Sequence, residues 1–231
     1  MKNSIEEFYE DGYEQVMGTG LVGLYWKFIH KKMNSFCEFT PSTTVLEIGA
    51  GHGQHFDQTL PANLSYLETD IRQSLGYHKE FESSDLKLLG RNKRLLNGEN
   101  LSGIPDHFFD VVISTCVIAH LKNPDSALSE WHRVLKPGGV LVFYVPCEPG
   151  LFLRLTRYFS TRIKFNRLGI NQHEINNLEH RNHFSYLRFL IKRTLTNTYY
   201  KEYRFPFRKF PWDFNLFAIF VVYKQIKKPA A

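Results

Sequence analysis

The amino-acid sequence predicts an α/β protein built on a mostly parallel sheet, and two stretches carry that prediction. In the first, Thr43-Thr44-Val45-Leu46-Glu47-Ile48, a β-branched and apolar run reads as a buried strand. It then breaks into glycines at alternate positions, Gly49, Gly51 and Gly53. In the second, an apolar run through Val111-Val112-Ile113 is followed by a helical stretch from about Pro124 to Leu135 and another apolar run, Val140 to Val145. Strand, helix and strand in that rhythm make a parallel sheet. At 231 residues and 43% hydrophobic content the chain buries one full core, so a single domain over residues 1–231 with an insertion is expected.

The glycine turn is the centre of the reading. Closely spaced glycines let the backbone turn tightly and let a ligand approach the main chain without meeting a Cβ. Glu47 stands just before the turn, at the carboxyl edge where open α/β sheets bind ligands. The dinucleotide fingerprint G-x-G-x-x-G fails, because position 54 is glutamine. The segment Glu47-Ile48-Gly49-Ala50-Gly51-His52-Gly53 instead resembles motif I of the class I S-adenosylmethionine (SAM)-dependent methyltransferases. A second block, Glu130-Trp131-His132-Arg133-Val134-Leu135-Lys136-Pro137-Gly138-Gly139-Val140-Leu141, resembles the same family's E-x-x-R-V-L-K-P-G-G-x-L signature. In it Pro137 ends the helix and the glycines supply the turn into the next strand. The resemblance implies a Rossmann-like class I methyltransferase fold: a seven-stranded, mostly parallel sheet with an antiparallel last strand. It also implies SAM as cofactor, S-adenosyl-L-homocysteine as product, and methyl transfer as the activity.

Residues 1–40 read as a helical N-terminal lid, with Ile5, Phe8, Tyr9, Tyr13 and Val16 roughly at helical spacing and a second helix after Gly18-Thr19-Gly20. Such a lid lies over the cofactor in the family, making Tyr9 and Tyr13 candidates to touch it, although an aromatic stripe also packs as plain core. Residues 41–148 form the SAM-binding core. The second strand, Leu64 to Asp70, ends in a carboxylate, which accepts from both vicinal hydroxyls of a ribose; Glu68 is the lesser candidate. Residues 72–93 read as a short helix and loops, and Arg94-Leu95-Leu96 as a short third strand. The resemblance extends the cofactor set to Glu47, Gly49, Ala50, Gly51, Gly53, Asp70, Ile71, Asn97, Gly98, Glu99, Ser114 and Tyr13. Asn97 departs from the family pattern, which places an acid there for the adenine amine.

The acceptor side is less defined. His120 follows the fourth strand as a general base or as a locally bonded residue. Residues 149–198 are a helical insertion whose first part, Leu151 to Leu168, interleaves arginines and lysine with apolar and aromatic residues and contains no acid. It reads as a pocket cap, a membrane-surface helix or a phosphate binder, or as a solvated face over a packed helix. His180 and His183 precede the next helix, Tyr186 to Leu195, and lead the base candidates, with Arg181 and Arg154 as contacts for an anionic acceptor. Residues 199–226 read as the closing β-hairpin. The turn after the fourth strand lacks the Asn/Asp-Pro-Pro-Tyr that holds a flipped base, which weighs against a nucleic-acid base methyltransferase.

Residues 1–150 carry 13 Lys+Arg against 19 Asp+Glu, and residues 151–231 carry 16 against 4, so the two parts stand at −6 and +12. The basic third suggests methyl transfer to O or N of a small, negatively charged acceptor, such as a sugar or sugar-phosphate building block of a glycan or natural product, or a negatively charged surface visited by the protein; a merely solvated exterior is the alternative. A membrane-surface enzyme for a lipid or quinone precursor is the second hypothesis. Cys37, Cys116 and Cys147 are too far apart for a disulfide framework or zinc cluster; Cys116 and Cys147, at the ends of two strands, read as buried and inert rather than as catalytic thiolates. No metal-ligand spacing appears, so metal-independent transfer is expected. The acidic N-terminus without an apolar core, no apolar run of about 18 residues and the cysteine usage together favour the cytoplasm. The oligomeric state is not specified by the sequence.

Overall fold

Seven strands form one sheet in the order β3-β2-β1-β4-β5-β7-β6, in a computed structural model that describes residue 8 and residues 12–59, 64–87, 89–196 and 198–225. The strands are β1 (Thr44–Ile48), β2 (Ser65–Asp70), β3 (Arg91–Leu95), β4 (Phe109–Thr115), β5 (Leu135–Pro146), β6 (Tyr199–Phe205) and β7 (Phe217–Tyr223). The pairs from β3 through to β5 are parallel, and β7 runs antiparallel to both β5 and β6. This is the seven-stranded Rossmann-like sheet that the sequence predicts. Tyr9, Ile5 and the Lys227–Ala231 tail lie outside the described residues.

Helices cover both faces, as a buried parallel sheet requires. They are α1 (Tyr13–Met17), α2 (Gly20–Asn34), α3 (Gln54–Thr59), α4 (Pro124–Val134), α5 (Leu151–Phe159), α6 (Thr161–Arg167), α7 (Gln172–Glu179) and α8 (Phe184–Thr194). On one face, Trp131 of α4 and Phe184, Leu187 and Ile191 of α8 bury against Val112, Phe143 and Phe220. On the other, Ile29 and Met33 of α2 pack on Val111, Ile113, Val142 and Ile219. Alternate residues of each strand serve opposite faces, which is why these strands are apolar throughout. Among the described residues no helix is long and apolar enough to cross a membrane.

Four elements differ from expectation. β3 starts at Arg91, three residues earlier than the apolar pattern suggests, because this edge strand holds its polar residues by ion pairs: Arg91 with Glu68, Arg94 with Asp85 at 2.6 Å. β5 begins at Leu135, because Leu135 already pairs with Phe109 before the register shifts to Val111 opposite Val140. The basic aromatic stretch breaks at Ser160 into α5 and α6, and Ser160 Oγ turns back onto Thr156 O at 2.6 Å. Residues 72–93 hold two short 3₁₀ turns, Gln73–Leu75 and Ser83–Lys87.

The E-x-x-R signature works as a staple. Arg133 donates to Glu130 Oε1 at 2.7 Å, to Ile104 O and Leu101 O at 2.8 Å each, and to Asp106 Oδ1 at 2.7 Å. One guanidinium thereby ties the loop before β4 to α4, as its five fixed donors allow.

Candidate active site

The carboxyl ends of β1, β2 and β4 open into a cavity of about 410 Å³, roofed by residues of α1, α2 and α5–α7. That size suits a small-molecule site. One half is built from backbone. Gly49, Gly51 and Gly53 all take positive φ, at 68°, 55° and 76°. The amides of Gly49 and Ala50 both donate to Thr69 O, at 2.8 and 3.0 Å, which sews the turn to β2. A Cβ on Gly49 would lie 2.2 Å from Val117 Cγ2, whereas one on Gly51 would meet nothing within 4 Å. Gly49 is therefore needed for packing and Gly51 to leave the cavity open.

Asp70 ends β2 and is 3% exposed; its carboxylate accepts the Gly51 and Arg72 amides, each at 3.0 Å. Glu47 is buried and accepts the Tyr66 hydroxyl at 2.7 Å, and burial lifts its pKa to about 8. Ile71 offers an apolar ledge at the rim, Asn97 and Gly98 line the wall, and Tyr13 stacks on His52 with ring centroids 5.6 Å apart. An open glycine cradle, a carboxylate for ribose hydroxyls and an apolar ledge for a purine fit SAM. Three predicted cofactor residues lie off the cavity lining. Gly53 turns its α-carbon toward Arg91, whose Nη2 would sit 2.1 Å from a Cβ there. Glu99 accepts the Asn123 amide at 2.7 Å, the residue before α4. Ser114 is buried in β4 among core residues.

The other half is built from side chains. Cys116 follows β4 in a left-handed conformation, φ 62°, that a non-glycine residue rarely adopts. His120, four residues on, and His180, just past α7, each bring a ring nitrogen within 4.8 Å of its thiol sulfur. Their rings meet edge to face with centroids 4.6 Å apart. Behind His180 stands Glu148, bonded to its Nδ1 and also paired with Arg157; Glu179 Oε2 lies 3.6 Å from His120 Nδ1. Burial opposes every charge here, but the contacts prevail. The two imidazoles draw the Cys116 pKa down to about 6, Cys116 and Glu148 lift that of His180 to about 9, and His180 and Arg157 hold that of Glu148 down to about 2.

Asn182 assembles the cluster. Its amide donates to Ala119 O at 3.0 Å, and its Nδ2 to Leu121 O at 2.7 Å. The Phe184 amide donates to Glu148 O at 2.8 Å. The segment after α7 is thus clamped to the loops after β4 and β5, carrying His180 to residues more than thirty positions away.

Residues 46–143 match the family model for a methyltransferase domain. Over that stretch the chain is similar to the SAM-dependent methyltransferases. Over 145 residues it is 30% identical to the thiol S-methyltransferase TMT1B of Rattus norvegicus, covering 57% of each protein. Over 150 residues it is 28% identical to the fusarielin synthase FSL1 of Gibberella zeae, covering 61% of this chain and 6% of that one. The chain thus spans about half the length of the thiol S-methyltransferases it matches. Among solved structures, a SAM-dependent methyltransferase from Archaeoglobus fulgidus superposes with a TM-score of 0.59 at 13% identity, over 92% of this chain and 98% of that one. A phosphoethanolamine N-methyltransferase 2 from Haemonchus contortus, solved with SAM, gives 0.58 at 16% identity over 98% and 58%.

The predicted acceptor residues divide. His120 and His180 line the cavity and touch one another. His183 is exposed as the N-cap of α8, because the clamp at Asn182 turns the chain outward there. Arg181 and Arg154 are exposed and off the lining, and the arginine of α5 that reaches the cavity is Arg157, one helical turn beyond Arg154. Cys116, read from the sequence as inert, lines the cavity, whereas burial raises the Cys37 pKa to about 12 and pushes Cys147 higher still. Sequence spacing showed no metal-ligand pattern, yet the fold gathers Cys116, His120 and His180. The signal available was the Cys-x₃-His at 116–120, without its third member 60 residues on.

Proposed function

We propose that the chain methylates the thiol of a small, mostly apolar acceptor, with SAM as methyl donor. One observation carries this reading: a soft cluster, Cys116 with His120 and His180, stands in a cavity whose remaining wall is mostly apolar and aromatic. That wall includes Tyr25, Trp26, Tyr144, Leu153, Phe165 and Leu216, with Thr156, Gln172 and Asn176 among its polar members. The guanidinium of Arg157 is already paired with Glu148, so it favours a neutral acceptor over the sugar-phosphate suggested by the basic third. The curated relatives named as thiol S-methyltransferases support the same acceptor class.

The sulfonium of SAM is a strong electrophile, so the chain's own work is to orient the acceptor, exclude water and remove a proton. The glycine turn and Asp70 bind the cofactor. The aromatic wall orients the acceptor, and His120 and His180 stand beside the acceptor's proton. The test is methyl transfer from SAM to a panel of an alkyl thiol, an aryl thiol, a phenol, an amine and a sugar phosphate. Thiols are expected to be the best acceptors. Turnover of the sugar phosphate with none of the thiols overturns the reading.

A second observation favours delivery of such an acceptor from a membrane surface. Leu155, Tyr158, Phe159 and Ile163 project from α5 and α6 beside Arg154 and Arg162, with Phe159 72% exposed. Apolar side chains beside arginines suit an anionic bilayer. Co-sedimentation with anionic but not neutral vesicles, weakened by salt, is the expected result, and no sedimentation with either refutes it.

A further inference from the structure

The group around Cys116 is a ligand set as well as a reactive cluster. Cys116 Sγ and one ring nitrogen each of His120 and His180 lie within 4.8 Å of one another, inside the cavity. Around a tetrahedral Zn²⁺, with bonds of about 2.3 Å to sulfur and about 2.0–2.1 Å to nitrogen, such atoms sit roughly 3.3–3.6 Å apart. The cluster needs a contraction of at most about 1.2–1.5 Å to reach that arrangement.

Three further features suit a metal better than a bare thiol–imidazole pair. A pair needs one imidazole, and here a nitrogen from each of two lies within 4.8 Å of one sulfur. Each imidazole has a carboxylate behind it, Glu148 on His180 Nδ1 and Glu179 facing His120 Nδ1. That is the outer arrangement that orients metal-bound histidines and raises their basicity. Finally, Cys116 is held in a left-handed backbone conformation, a strained state that persists where surrounding structure fixes it, as at functional sites.

We propose that Cys116, His120 and His180 hold a Zn²⁺ ion with its fourth position open to the acceptor. One sulfur and two nitrogens form the borderline-soft donor set that zinc accepts, and three protein ligands with an open position are the pattern of catalytic rather than structural zinc. The ion's role rests on the thiol reading above; its binding does not. With the ion bound, the two histidines act as ligands instead of bases, and the acceptor thiol would coordinate the metal and release its proton to water. Its sulfur electron pair then forms the new S–CH₃ bond as the sulfonium's S–CH₃ bond breaks. The thioether and S-adenosylhomocysteine leave, and the metal is unchanged.

The experiment is titration of the chelator-stripped full chain with Co²⁺ as a spectroscopic probe, followed by displacement with Zn²⁺. One Co²⁺ per chain is expected, with the visible bands of a tetrahedral site and a thiolate-to-cobalt charge-transfer band. Cys116→Ser should remove the charge-transfer band and weaken affinity by about 100-fold or more, and Glu148→Gln should weaken it about 10–100-fold while keeping the band. Cys37→Ser should change neither. Retained SAM binding by Cys116→Ser shows that this variant is folded. Absence of Co²⁺ uptake, or an octahedral spectrum indifferent to Cys116→Ser, overturns the metal site. Uptake as expected with no thiol methylation leaves the site standing and removes the acceptor reading. Full-rate thiol methylation by a metal-free chain that takes up no Co²⁺ does the reverse.

Discussion

The two halves of the cavity are held together by different kinds of contact. On the cofactor side the ligand-facing surface is main chain: a turn of positive-φ glycines bonded to Thr69 O and to Asp70, all within some twenty residues. On the acceptor side it is side chain: Cys116, His120, Glu148, Arg157, Glu179 and His180 come from four separate segments and are held by a clamp at Asn182. The first half keeps its shape without a ligand, because its geometry is set by the strands beneath it. The second depends on mutual charge, so a change at one member alters all of them. Substitutions should therefore separate cofactor binding from turnover.

The largest separation is expected at the glycine turn. Gly51→Val places a β-branched residue at φ 55°, where the added atoms face only the open cavity. Folding should survive while SAM affinity falls about 100-fold or more, measured by calorimetry beside a thermal unfolding curve. Normal SAM affinity in this variant would end the cofactor assignment. On the other side, His180→Ala should leave SAM affinity unchanged and lower kcat/KM for the acceptor about 100-fold. An equal fall in SAM affinity would show that the halves are not independent.

That difference also governs what the sequence made legible. A ligand gripped by backbone requires glycines at fixed offsets, so Gly49, Gly51 and Asp70 could be read from one short stretch and lie where the fold class puts them. Gly53, in the same run, serves the packing of Arg91, because alternate glycines alone do not say which way each one faces. The acceptor side has no such local signature. His180 and His183 were equivalent by sequence; the bond from Asn182 to Leu121 O is what points one in and the other out. Cys116 read as inert because spacing cannot place His180, far along the chain, beside it, and within α5 it is Arg157 rather than Arg154 that lines the cavity.

Glu47 gives a smaller effect on stability. It lies under the turn with the Tyr66 hydroxyl, Glu68, Asp70 and Arg91 around it, and burial raises its pKa to about 8. The folded state therefore keeps a proton that the unfolded chain loses near the ordinary carboxyl value of 4.5. This contribution is fully present below that value and is lost as pH rises toward about 8. The melting temperature should fall across that range, and Glu47→Gln, which cannot ionise, should flatten the fall. An unchanged slope in Glu47→Gln would show that Glu47 is already ionised in the folded protein.

The smallest effect is expected where sequence and fold part company. His183 and Arg154 are exposed and off the cavity. His183 caps α8 through its backbone conformation, and its side chain makes no capping bond. Replacing an exposed side chain with no such role usually changes stability by under about 0.5 kcal/mol. His183→Ala and Arg154→Ala should therefore keep kcat/KM and SAM affinity within about twofold of the parent. The pair His180→Ala and His183→Ala then measures the clamp itself. If the two lose activity equally, the segment after α7 swings both imidazoles into the cavity during turnover, and the side-chain half is a moving part rather than a fixed wall.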